Sequence, residues 1–160
     1  MLFFEHVLLY NLTEELPNGD YICALDQADL VQEGSDVTIL TYSRMRHHCL
    51  KAVEQLEADG ISVELIDLIS LKPFDMATIA KSIRKTHRVI VVEECMKTGG
   101  IGAELIALIT EHCFDDLDAR PIRLSSQDIP TPYNGNLENL TIIQPHQIVE
   151  TAQAIVRKGL

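Results

Sequence analysis

The side chains best placed for chemistry lie within residues 85–114, KTHRVIVVEECMKTGGIGAELIALITEHCF. Glu93 and Glu94 close a β-branched apolar run and are followed by Cys95, Lys97, Gly99, Gly100 and Gly102. Carboxylates at the carboxyl end of a strand stand where open α/β sheets place their ligands, and a desolvated one could do acid–base work. Adjacent strand residues point to opposite faces, so the two need not share a site. One of them is equally placed to satisfy the N-terminus of the following helix. The glycines leave two readings open. They let the backbone turn sharply and bring a helix close to the sheet, or they offer free N–H groups to an anion at Gly99, Gly100 and Gly102. A dinucleotide fingerprint would need glycine where Leu105 stands, and Lys97-Thr98 precedes the glycines, which excludes a Walker A loop.

Other candidates carry less. His47-His48-Cys49 and His112-Cys113 resemble metal ligands only superficially, because neighbours on a helix diverge by about 100°. Cys95 has Lys97 as its one basic neighbour, too little to activate a thiolate. No GxSxG elbow is present. From its chemistry alone the chain does not read as a self-sufficient enzyme. Asp115, Asp116 and Asp118 form an acidic knuckle, which is either a solvated loop or a receptor for a partner's arginines and lysines.

These residues need elements to hold them. The run at 88–92 fits a strand buried on both faces, as in a parallel sheet, and Ile101–Cys113 reads as a helix. Upstream, 28–32 and 37–42 read as two strands joined by the turn Glu33-Gly34-Ser35-Asp36, an antiparallel pair. Residues 45–59 form an amphipathic helix with Met45, Cys49, Ala52, Val53 and Leu56 on one face, stopped by Gly60. Residues 61–68 are the next strand, and Asp75 caps a helix over 76–85. After the central helix come a short strand at 121–124, a loop over 125–139 rich in Pro, Asn and Gly, and a closing helix at 147–157. Pro145 sits where a helix accepts it, in the first turn. Strands alternating with helices predict an α/β fold of three layers, α/β/α. Its sheet is mostly parallel, covered on both faces, with one antiparallel edge strand. The helix Ile101–Cys113 is apolar most of the way round, which predicts burial on more than one side. Ile101, Leu105, Leu108 and Ile109 are therefore candidates for a subunit interface.

A chain of 160 residues suits one domain. With 46% hydrophobic and 23% charged residues it has a globular rather than a disordered composition. The net charge of −11 argues against nucleic acid, since no basic stripe replaces phosphate counterions. Cys23, Cys49, Cys95 and Cys113 lack CxxC spacing and predict reduced thiols in a cytoplasmic or organellar stromal compartment. The Asn-x-Thr sequons at Asn11 and Asn139 then read as chance matches. No apolar run approaches a membrane span. Residues 1–10, MLFFEHVLLY, are strongly apolar and read as the tail of a preceding domain or an arm docking elsewhere. Residues 11–27 read as a linker centred on Pro17-Asn18-Gly19-Asp20, and 28–160 as the domain.

The ordered segments DVTILTYSRM, VELIDLISLKPFD, KTHRVIVVEE, TGGIGAELIALITEHCFDDLDARPIRL and DIPTPYNGNLE resemble the beta subunit of the 2-oxo-acid dehydrogenase first component. The likeness is strongest to pyruvate dehydrogenase beta subunits of the cyanobacterial and plastid type. FFEHVLLYN resembles the end of that subunit's preceding, cofactor-facing domain. The resemblance runs over nearly the whole chain but lacks the large N-terminal domain that holds thiamine diphosphate in the family. It implies a transketolase C-terminal-like fold with a five-stranded sheet. It also implies a role in assembly: contacts with an alpha subunit and a second beta subunit in an α2β2 tetramer, and docking of a lipoyl acyltransferase core. The cofactor would be thiamine diphosphate in the complete assembly, not on this chain alone, and the compartment cytoplasmic or plastid stroma. Asp118 is the leading residue for a basic partner. Two alternatives stay open: a free-standing module binding an anionic regulator at the glycine turn, and the same domain from a branched-chain oxo acid or acetoin dehydrogenase.

Overall fold

The computed structural model describes residues 2–15 and 18–158. Met1 and the Pro17 of the predicted turn lie outside them, as do the last two residues. Among the described residues, β1 (Asp29–Gln32), β2 (Val37–Thr41), β3 (Val63–Asp67), β4 (Val89–Met96) and β5 (Ile122–Ser126) form one sheet in the order β1-β3-β2-β4-β5. All neighbours are parallel except β1 and β3. The helices are α1 (Met45–Ala58), α2 (Met76–Thr86), α3 (Ile101–Cys113), α4 (Gly135–Thr141) and α5 (Pro145–Lys158), and 3₁₀ turns occupy Val7–Leu9 and Phe114–Asp116.

The alternation of apolar side chains along buried strands makes two cores from one run. On β4, Ile90 and Val92 join Ile39 and Leu65 under α1 and α5, where Cys49, Leu56, Ile148 and Ile155 close the layer. Val89 and Val91 face the other way, with Leu40 and Ile66, against Ile79 and Ile83 of α2 and Leu105 and Ile109 of α3. The result is the three-layer α/β/α fold with its antiparallel edge strand. Gly60 ends α1 at φ +77°, a left-handed value that suits glycine. The predicted face of α1 is the buried one. Pro145 opens α5, where its missing N–H breaks no helical bond.

Two expectations are corrected. β1 does not pair with β2: β3 lies between them, and β1 is antiparallel to β3. A next-but-one strand is about 10 Å away, within the roughly 13 Å that four extended residues span, so a short link does not force adjacency. The link lies across the start of β3. Ser35 and Asp36 donate to the Ser62 carbonyl at 3.3 and 2.8 Å, and a Cβ on Gly34 would lie 2.1 Å from the Val63 carbonyl carbon. The predicted loop over 125–139 instead holds the end of β5 and begins α4. Asn134 caps α4 by accepting from the N–H groups of Asn136 and Leu137, so a residue read as a loop marker starts a helix.

Asp75 ties two parts of the chain. Its Oδ1 accepts from the Thr78 N–H at 3.0 Å, capping α2, and its Oδ2 from the Ala28 N–H at 3.1 Å, just before β1. Burial pulls its pKa up, but the hydrogen bonds from Thr78, Ala28 and Ala77 outweigh that and hold it below the ordinary value. A carboxyl whose pKa is depressed by folding stabilises above its unfolded pKa and loses that effect as pH falls through the folded one. Asp75→Ala is expected to destabilise the chain by about 1–2 kcal/mol near neutrality. The gap to the unsubstituted chain should shrink as pH falls below about 4, which urea denaturation across pH would measure.

Candidate functional site

The carboxyl end of β4 sends Glu93 and Glu94 to opposite faces. Glu93 is 0% exposed. Its Oε1 accepts from the Ser125 hydroxyl at 2.9 Å and pairs with Arg123 Nε at 2.7 Å. Its Oε2 accepts from the Gly102 N–H at 2.9 Å and the Tyr42 hydroxyl at 3.4 Å. Each carboxylate oxygen therefore meets two donors, and neither is left to take a proton from a substrate. Arg123 is itself held by Ser125 and by the Lys97 carbonyl. Burial above all, then the neighbouring Cys95 and Glu93, push the Tyr42 phenol well above its ordinary pKa, so it stays a neutral donor.

This arrangement accounts for two of the three glycines. A Cβ on Gly102 would lie 2.6 Å from Glu93 Oε1, and one on Gly100 2.7 Å from the Met96 carbonyl oxygen. Gly99 turns the chain at φ +79°. The helix end read as open to an anion thus receives the chain's own carboxylate, the favourable partner for the N-terminal end of the helix dipole.

Glu94 bridges Arg44 Nη1 at 3.1 Å and His6 Nε2 at 3.0 Å, which fastens the N-terminal arm to the sheet end. Around His6 the arm exposes Leu2, Phe3, Phe4, Val7 and Leu8. Beyond Glu94 opens a cavity of ≈ 350 Å³ between the β4–α3 turn, the end of β5 and α4.

The remaining candidates separate. His48 Nδ1 lies 3.0 Å from the Ile143 carbonyl and joins α1 to the start of the closing segment. Cys49 is core, its thiol pushed up to about 12 by burial, which outweighs the lowering effect of a hydrogen bond with Thr41, with a smaller push from Asp67. Cys23 and Cys95 are exposed and free, and Cys113 is buried. On α3, Leu105 and Ile109 are 1% and 0% exposed and belong to the domain's own core. The helical repeat puts them on the sheet side with Gly102 and Cys113, so they offer nothing to a subunit. Ile101 and Leu108 are half-buried, Ile106 packs against the same core, and the exposed side carries Ala103 and Ala107 together with Glu104 and Glu111. In the acidic knuckle, Asp116 pairs with Arg84 at 3.2 Å and Asp118 with Arg88 at 3.7 Å. Asp115 is exposed and has no ion pair among the described residues.

Arg123, Ser125 and Tyr42 were missed at the sequence level. Their signal is weak but present: Arg123 and Ser125 are two apart on a strand, hence on one face, and a buried carboxylate requires such donors.

The chain matches the family described as transketolase, C-terminal domain, over residues 26–148. It is 63% identical over 159 residues to the pyruvate dehydrogenase E1 component subunit beta of Porphyra purpurea, covering 99% of this chain and 48% of that protein. Against the chloroplastic subunit beta-2 of Arabidopsis thaliana it is 55% identical over 155 residues, covering 97% of this chain and 38% of that one. The chain thus spans about half or less of the length of the curated relatives it matches. Among solved structures, one titled "Split gene transketolase, inactive beta4 tetramer" superposes with a TM-score of 0.75 at 25% identity, over 90% of this chain and 46% of that one. Sheet order, the covered faces and the match over 26–148 agree, and the chain belongs to the transketolase C-terminal domain family.

Proposed function

We propose that the chain is the C-terminal assembly domain of the beta subunit of a thiamine-dependent pyruvate dehydrogenase. The parent reaction is oxidative decarboxylation of pyruvate with acetyl transfer to a lipoyl group. The observation that carries this reading is identity of 63% along 159 residues to a protein named as that subunit. In this reading residues 1–10 are the tail of the preceding cofactor-facing domain and 11–27 the linker. The outer face of α3, with Ile101 and Leu108, contacts another subunit of an α2β2 assembly. The acidic knuckle receives basic groups of the acyltransferase core, with Asp115 the most available carboxylate. The compartment is the cytoplasm or plastid stroma, for which the chloroplastic relative is the support. The names of the relatives favour pyruvate over a branched-chain oxo acid or acetoin.

Thiamine diphosphate does not fit this chain's own groups. The end of α3, the natural seat for a phosphate, holds Glu93, and the adjoining cavity is lined by Glu94 and Glu138. The cofactor then belongs to the rest of the assembly. The purified chain, given pyruvate, thiamine diphosphate and magnesium, is expected to release no carbon dioxide above background. Turnover without an alpha subunit would refute the assembly reading. Within the complete beta subunit, changing Asp115, Asp116 and Asp118 together to Asn should weaken binding to the acyltransferase core and flatten its salt dependence. The docking role fails if both stay unchanged.

A further inference from the structure

The cavity at the end of β4 has features that neither the packing of the domain nor its assembly role requires. Strand alternation sends the Ser125 hydroxyl to Glu93 and Ser126 to the opposite face, where it lines the cavity. Ser126 is 7% exposed, and its hydroxyl has no hydrogen-bond partner among the described residues. Buried hydroxyls almost always have one, so the group is matched to something the chain does not itself supply. The same cavity is lined by the acidic residues Glu94 and Glu138, by Thr98 and Thr141, and by no lysine, arginine or histidine. Arg44 and His6 face Glu94 from outside the lining and take up part of its charge. Glu138 is half-buried on α4 and has no ion pair among the described residues. A volume of ≈ 350 Å³ suits a small molecule rather than a chain segment.

We propose that this cavity binds a small organic cation, its ammonium group against Glu138 and Glu94 and a hydrogen-bonding group on Ser126. The sign of charge decides the class. The helix end beside the cavity is already neutralised by Glu93, Glu94 carries Arg44, and an anion would face the uncompensated charge of Glu138 with no cation in the lining.

The test titrates the whole chain with three compounds alike in length and different in charge: 1,4-diaminobutane, 1,4-butanediol and succinate, at one ionic strength. Calorimetry is expected to show saturable binding of the diamine alone. Because the chain is strongly acidic, the variants matter more than the heat itself. Glu138→Gln should weaken diamine binding about tenfold, the size of one charge-assisted hydrogen bond. Ser126→Ala should weaken it several-fold while leaving the thermal midpoint unchanged or raised, since it removes a buried unpaired hydroxyl. Asp115→Asn, remote from the cavity, should leave affinity unchanged. The proposal is overturned by the absence of saturable diamine binding, by equal affinity in Glu138→Gln, or by a preference for succinate.

Discussion

Glu93→Ala is expected to be among the most damaging single substitutions in this chain, lowering stability by about 3–5 kcal/mol. Removing one member of a buried ion pair strands the other, and the penalty comes mainly from what is left behind. Here that is the Arg123 guanidinium, 14% exposed, together with the Gly102 N–H and the Ser125 hydroxyl. For a chain of this size the change corresponds to a melting point lower by on the order of 10 °C. Glu93→Gln separates this account from simple loss of volume. The amide keeps the shape, but its nitrogen is a donor, and either orientation turns it against two donors: Arg123 and Ser125, or Gly102 and Tyr42. It should therefore also destabilise measurably, where a space-filling role predicts near neutrality. Urea denaturation of both variants would decide.

The second large effect is expected at Gly102. Alanine is the better helix former, worth roughly 0.5–1 kcal/mol over glycine in a helix interior. Gly102→Ala should nonetheless destabilise by about 1–3 kcal/mol. Its Cβ would lie 2.6 Å from Oε1 of a carboxylate whose two oxygens are held by two donors each. The two substitutions must then be non-additive. In the Glu93→Ala background the obstructing carboxylate is gone, and Gly102→Ala should become neutral or stabilising by its helix propensity. A double-mutant cycle measures this directly, with a coupling of about 1–3 kcal/mol expected between residues in contact. Additivity would mean that Gly102 answers to something other than Glu93.

These two residues also mark how far the sequence could be read. The ends of α3 were legible because an apolar helical run follows three glycines, and the buried face of α1 because its period is regular. That one of Glu93 and Glu94 could partner a helix N-terminus was legible, since a carboxylate one short turn before a helix is placed for it, but which of the two was not. Its other partners were not. Arg123 and Ser125 come some thirty residues later, and their meeting depends on β5 lying beside β4, which no local pattern states. The pairing of β1 failed for a related reason: link length limits reach but does not say which strand fills the gap. α4 was hidden because Asn134 and Gly135 serve turns and helix starts equally well. On α3, composition suggested burial on more than one side, whereas the repeat assigns Leu105 and Ile109 to the core and leaves Ile101 and Leu108 half-buried.

The place of β1 has a mechanical consequence. Its only strand partner among the described residues is β3, so every state in which β1 is paired already contains β3, while the reverse need not hold. The parallel strands β2, β3, β4 and β5 with their covering helices can stay closed while β1 opens, a local event of lower free energy than global unfolding. The arm is fastened to β4 through His6 and Glu94, Asp75 holds the Ala28 N–H just before β1, and Arg46 ties Asp29 of β1 to Asp67 of β3. β1 is thus the strand expected to open first, releasing Val31 from the edge of one core and Asp29 from Arg46 while the other four strands stay paired.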